Sequence, residues 1–91
     1  MSPNQSLFDD DVYKYRLVFT YPAQPRKIPL PNVGYRPNQA IFYYPERLGE
    51  DSVKAVSAIA LRLAPPLPNV RVTCAEEFKE GNDWKVYEED L

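Results

Sequence analysis

One stretch constrains this chain more than any other. Glu50 to Cys74 reads EDSVKAVSAIALRLA, then PPLPN, then VRVTC. Val53, Val56, Ile59, Ala60, Leu63 and Ala64 recur at helical spacing and form one apolar stripe. Lys54, Ser57 and Arg62 lie off that stripe. Leu61 lies off it too and is left to touch a neighbouring element or a partner. Glu50 and Asp51 stand where carboxylates meet the positive end of a helix dipole. Gly49 or Asp51 is the expected N-cap. Pro65 and Pro66 end the helix, because neither donates a backbone hydrogen bond and each disfavours helical dihedrals in the residue before it. The chain then reverses over Pro65 to Asn69. Val70, Val72 and Cys74 alternate with Arg71 and Thr73, the pattern of a strand with one buried face. The economical packing sets the helix stripe on a sheet containing this strand.

A second pattern is as clear. From Val12 to Tyr21, Tyr13, Tyr15, Leu17, Phe19 and Tyr21 share one face, and Val12, Lys14, Arg16, Val18 and Thr20 share the other. This period-two alternation predicts a strand whose aromatic face lies beneath the helix, with hydroxyls reaching the edge of the core. Ala40 to Tyr44 predicts a short aromatic strand ended by Pro45. Gly81-Asn82-Asp83 is turn chemistry. Trp84 to Glu88 alternates again and predicts an antiparallel partner for the Val70 strand, which by parity runs as far as Phe78.

The expected fold is therefore α+β. It is a single small domain with a mainly antiparallel four-stranded sheet, order β-β-α-β-β, one helix packed on one face and a long Pro-rich loop. The strands flanking the helix leave open a right-handed crossover between parallel neighbours. Residues 1–11 are read as a flexible acidic arm carrying the apolar pair Leu7-Phe8. Residues 12–88 form the domain, and 89–91 an acidic end. The 91-residue length fits one domain. A chain of this size buries only about 60–65% of its unfolded surface.

Between the first two strands lies PAQPRKIPLPNVGYRPN, residues 22–38, with prolines at 22, 25, 29, 31 and 37. Connections longer than about 12–15 residues without structure are usually functional or mobile. Arg26, Lys27, Ile28, Leu30, Tyr35 and Arg36 on this loop are the candidate binding residues. The competing view is a stiff crossover pinned by Ile28, Leu30 and Val33, with a short edge strand.

Charge is unevenly placed. Residues 1–11 carry −3, residues 12–75 carry +6 and residues 76–91 carry −5. A basic centre between acidic ends fits an anion-binding face, ends that fold back on the centre, or plain solvated balance.

The chemistry is sparse. Histidine is absent, and the one cysteine, Cys74, is expected inside a strand as an inert small hydrophobe. Without histidine the usual triads, the commonest general base and the commonest transition-metal ligand are all missing. No phosphate loop, dinucleotide fingerprint or zinc spacing occurs. Asp9-Asp10-Asp11, Glu76-Glu77 and Glu88-Glu89-Asp90 lack EF-hand spacing. The sequence is thus read as non-enzymatic, with no cofactor, no metal site and no catalytic residue.

Three functions remain. The first is a cytoplasmic binding or adaptor protein acting through protein–protein contacts, with self-association left open. The second is a nucleic-acid module, with Lys14, Arg16, Arg26, Lys27, Arg36 and Arg71 on phosphates and Tyr35, Phe42, Tyr43 and Tyr44 as stacking surfaces. A pI near 5.0 is unusual for that class. The third is an acidic inhibitor of a nucleic-acid-binding protein. One cysteine excludes an internal disulfide scaffold, and no apolar run is long enough for a membrane span.

Overall fold

The computed structural model describes residues 12–87. The acidic arm 1–11 and the end 88–91 lie outside the described residues. The elements are β1 (Tyr15–Thr20), β2 (Val33–Arg36), β3 (Gln39–Tyr44), α1 (Glu50–Arg62), β4 (Thr73–Glu80) and β5 (Asp83–Val86). The class is α+β with one helix, but the sheet has five strands rather than four. The extra one, β2, takes residues 33–36 out of the segment read as a long Pro-rich loop, and it is an edge strand, as the competing view of that segment had it. β2 and β3 turn through Pro37-Asn38, with Arg36 opposite Gln39. Asn38 holds the left-handed conformation there, φ 61°, which asparagine tolerates better than most residues.

The sheet order is β2-β3-β1-β4-β5 and every pairing is antiparallel. β3 and β4 therefore run parallel to each other, but they are not neighbours. β1 lies between them, pairing Leu17 with Phe42 on one side and with Glu76 on the other. The crossover through α1 steps over an intervening strand, a split β-α-β unit.

The α1 stripe packs on one face of this sheet. Val56, Ala60 and Leu63 join Tyr15, Leu17, Phe19, Tyr21, Val33, Ala40 and Phe42 in the main core. Phe19 and Phe42 meet edge to face at 5.5 Å between centroids, a favoured aromatic geometry. Ile59 departs from expectation and is 40% exposed. At about 100° per residue it lies on the rim of the stripe whose centre is Val56, Ala60 and Leu63. Val86 is 55% exposed: it shares the face of Trp84, opposite the helix, on the edge strand β5. Gly49 is the N-cap, in extended conformation with no side-chain cap.

The opposite face holds a smaller cluster of Val18, Ile41 and Tyr43, with Tyr13, Ala75 and Trp84 packed against it. Tyr13 was expected on the helix side. It precedes β1, so the strand alternation does not govern it, and its ring packs on Tyr43 at 6.0 Å. β4 begins at Thr73, so Val70 and Val72 precede the strand they were expected to open. Gly81 carries the β4–β5 turn at φ 63°. An added side chain would have open space there, so glycine serves the backbone alone.

Candidate interaction surface

The 22–38 residues are tied to the body rather than grouped into one site. Arg26 N–H donates to the Leu63 carbonyl at 2.8 Å, which fixes the segment against the C-terminal end of α1. The Tyr35 hydroxyl bonds both main-chain groups of Ile28, accepting from its N–H at 2.9 Å and donating to its carbonyl at 3.0 Å. Leu30 packs on the main core. Arg26, Lys27, Ile28 and Arg36 remain exposed. Of the six predicted residues, two thus shape the segment and four are displayed.

The predicted stacking side chains are committed elsewhere, whereas of the predicted phosphate contacts only Arg16 is, and Lys14, Arg26, Lys27, Arg36 and Arg71 are exposed. Phe42 and Tyr43 are buried, and Tyr44 packs on the core. Arg16 is buried as well. Its guanidinium pairs with Glu77 at 2.6 Å and lies 4.3 Å from the Trp84 ring centroid. Arg47 reaches Glu76 at 3.4 Å and covers the Tyr87 ring at 3.9 Å. Two cations of the basic centre are therefore neutralised by adjacent carboxylates of β4. Glu76 also accepts from the buried Tyr15 hydroxyl at 2.5 Å. Burial, with the carboxylate beside it, holds the Tyr15 phenol well above its ordinary range.

Among the described residues, depressions lie along α1, two of which bear on the site. The larger, about 630 Å³, opens at the start of the helix between Arg47, Lys54, Glu50 and Glu76, floored by Leu48 and Val53. Its two cations and two carboxylates balance, so it favours neither sign of ligand.

The smaller, about 140 Å³, is a crease between α1 and β4 lined by Phe19, Ser57, Leu61, Val72 and Cys74. It is mainly apolar and was not anticipated. The only signal for it in the sequence was Leu61, off the helix stripe. Cys74 was expected to be buried and is exposed, because no strand pairs with its outer side among the described residues. Desolvation in the crease, with the Glu76 carboxylate adding to it, pushes its thiol up to about 11. A thiol held protonated is a poor nucleophile.

Among the described residues no group of side chains is arranged to hold a metal ion, and no helix is long and apolar enough to cross a membrane. Compared with protein-family models, curated proteins and solved structures, the chain matches none.

Proposed function

We propose that this domain is a non-enzymatic protein-binding module acting through protein–protein contacts. One observation carries the reading: large apolar side chains are exposed on α1 near its C-terminal end and on the segments that adjoin that end. Leu61 is 59% exposed, Leu67 50% and Ile28 42%. The bond from Arg26 to Leu63 ties the Ile28 segment to the end of the helix, where Ile28 lies against Tyr35 of β2 and Leu61 borders β4. Apolar anchors of this kind dominate protein interfaces. Arg26, Lys27 and Arg36 supply a charged rim, the usual surround of such a patch.

The test is affinity capture with chemical cross-linking, comparing wild type with a variant carrying Ile28→Asp, Leu61→Asp and Leu67→Asp. A cross-linked partner on wild type and none on the variant is expected. Oligonucleotide titration at two salt concentrations supplies the opposing outcome. Salt-sensitive binding, lost when Arg26, Lys27 and Arg36 are changed to glutamate, would replace this reading with a nucleic-acid one.

A further inference from the structure

The connection that leaves α1 reads Ala64-Pro65-Pro66-Leu67-Pro68-Asn69. Stopping the helix needs only its first two prolines. Pro66, Leu67, Pro68 and Asn69 are exposed, Leu67 by 50%, and Pro65 is half-buried. Dihedral chemistry narrows what this stretch can do. The rings of Pro65, Pro66 and Pro68 fix φ at about −65°. Ala64, Pro65 and Leu67 each precede a proline, which pushes them toward extended ψ. Those are the angles of polyproline II. Among residues 64 to 67, Pro66 alone precedes no proline, and the stretch bends there. Leu67 N–H donates to the Pro65 carbonyl at 2.8 Å and closes a three-residue turn. Turning ψ of Pro66 to the extended region opens that bond and sets Pro65 to Pro68 in polyproline II.

Resting on the protein-binding reading, we infer the class of partner. Pro65 and Pro68 are a Pro-x-x-Pro ligand for a protein domain of the SH3 type, with a groove lined by aromatic rings and flanked by carboxylates. Polyproline II has about three residues per turn and rises about 3.1 Å per residue, so the two prolines fall on one edge of the helix. Grooves of aromatic rings receive that edge, and a stretch whose dihedrals are already restricted loses little entropy on docking. The flanking charges narrow the groove further. Arg62 stands three residues before Pro65 and Arg71 three after Pro68, and both are exposed. Two cations beside the proline edge select carboxylates beside the groove.

The longer proline-rich segment does not offer the same ligand. Pro25 is buried, Leu30 packs on the main core and Arg26 is bonded to Leu63, so residues 22–31 are held by the body.

The experiment titrates the isotope-labelled full chain with a panel of purified SH3 and WW domains, followed by NMR. Wild type is compared with Pro65→Ala combined with Pro68→Ala, and with Arg62→Glu. Circular dichroism checks that each variant folds. If the double variant does not, Pro68→Ala alone, at an exposed position, takes its place. SH3 domains with an acidic groove rim are expected to bind wild type and to shift resonances of residues 62–71. Each variant should bind them about ten-fold more weakly or worse. Unchanged binding by the proline variant, or no domain bound, would overturn the inference. Binding by WW domains alone, indifferent to Arg62→Glu, would overturn the acidic groove. Shifts centred on Ile28 and Pro29 instead would place the ligand in the other segment and overturn the assignment. A partner captured by the proline variant as well as by wild type, yet lost with Ile28→Asp, Leu61→Asp and Leu67→Asp, would overturn this inference and leave the protein-binding reading standing.

Discussion

The hydroxyl of Tyr21 donates to the main-chain carbonyl of Ala60 at 2.7 Å. One residue follows β1 and the other lies in the last turns of α1, so the bond latches sheet to helix inside the core. Tyr21→Phe removes the donor and keeps the ring. The Ala60 carbonyl still accepts from Leu63 N–H at 3.1 Å, so it is not orphaned. The expected cost is about 1 kcal/mol, read as a lower urea midpoint with an unchanged slope.

Alkaline pH attacks the same region. Burial, reinforced by the neighbouring Tyr35, pushes the Tyr21 phenol from its ordinary 10.0 up to about 12. The Cys74 thiol goes from 9.0 to about 11. Each group is held neutral by the fold, so the folded chain binds the proton more tightly than the unfolded chain does. Their stabilisation is complete below the ordinary values and is lost as pH rises toward 11 for Cys74 and 12 for Tyr21. Denaturation midpoints should fall steadily above pH 9. Tyr21→Phe should flatten the upper part of that fall and Cys74→Ser the lower part.

The helix stripe has a sharp centre. Leu63 has no exposed surface, while Ile59 is 40% exposed. Leu63→Ala should cost about 2–5 kcal/mol through lost contacts and the cavity left behind. Ile59→Ala should change stability by only about 0.5 kcal/mol. Thermal or chemical denaturation of the two variants side by side checks the orientation of the helix. Equal costs would show it to be rotated.

Arg16 and Glu77 form a pair whose side chains are 10% and 17% exposed. Removing one partner leaves a largely buried charge, so Glu77→Ala should destabilise by about 3 kcal/mol. The double replacement Arg16→Met with Glu77→Leu should recover most of that loss, because neither desolvated charge remains. A double-mutant cycle measures the difference.

Much of this architecture was legible in the residues themselves. The helix over Glu50–Arg62 and the strand over Tyr15–Thr20 each carry a long, unambiguous apolar period. β2 was not, since four residues between Pro31 and Pro37 are too few to show one. The Pro-rich segment drew attention through composition, but its prolines gave no sign that Tyr35 would clamp Ile28 or that Leu30 would join the core. The crease beside Cys74 was hidden for a different reason. It lies where α1 meets β1 and β4, and which strands lie under a helix depends on strand order, which no local pattern encodes. Burial of Arg16 was hidden likewise, since Trp84 and Glu77 reach it only once β4 and β5 have paired.

The place of β1 at the middle of the sheet has a consequence for synthesis. Its two neighbours, β3 and β4, both come later in the chain, and β4 is complete only at Glu80. A ribosome therefore releases the apolar Tyr15–Thr20 segment well before both flanks exist to receive it. Such non-local pairing slows folding and exposes a strand-forming segment to aggregation in the interval. The newborn chain is at its most vulnerable in the time needed to translate the 66 residues from Tyr15, the start of β1, to Glu80, the end of β4.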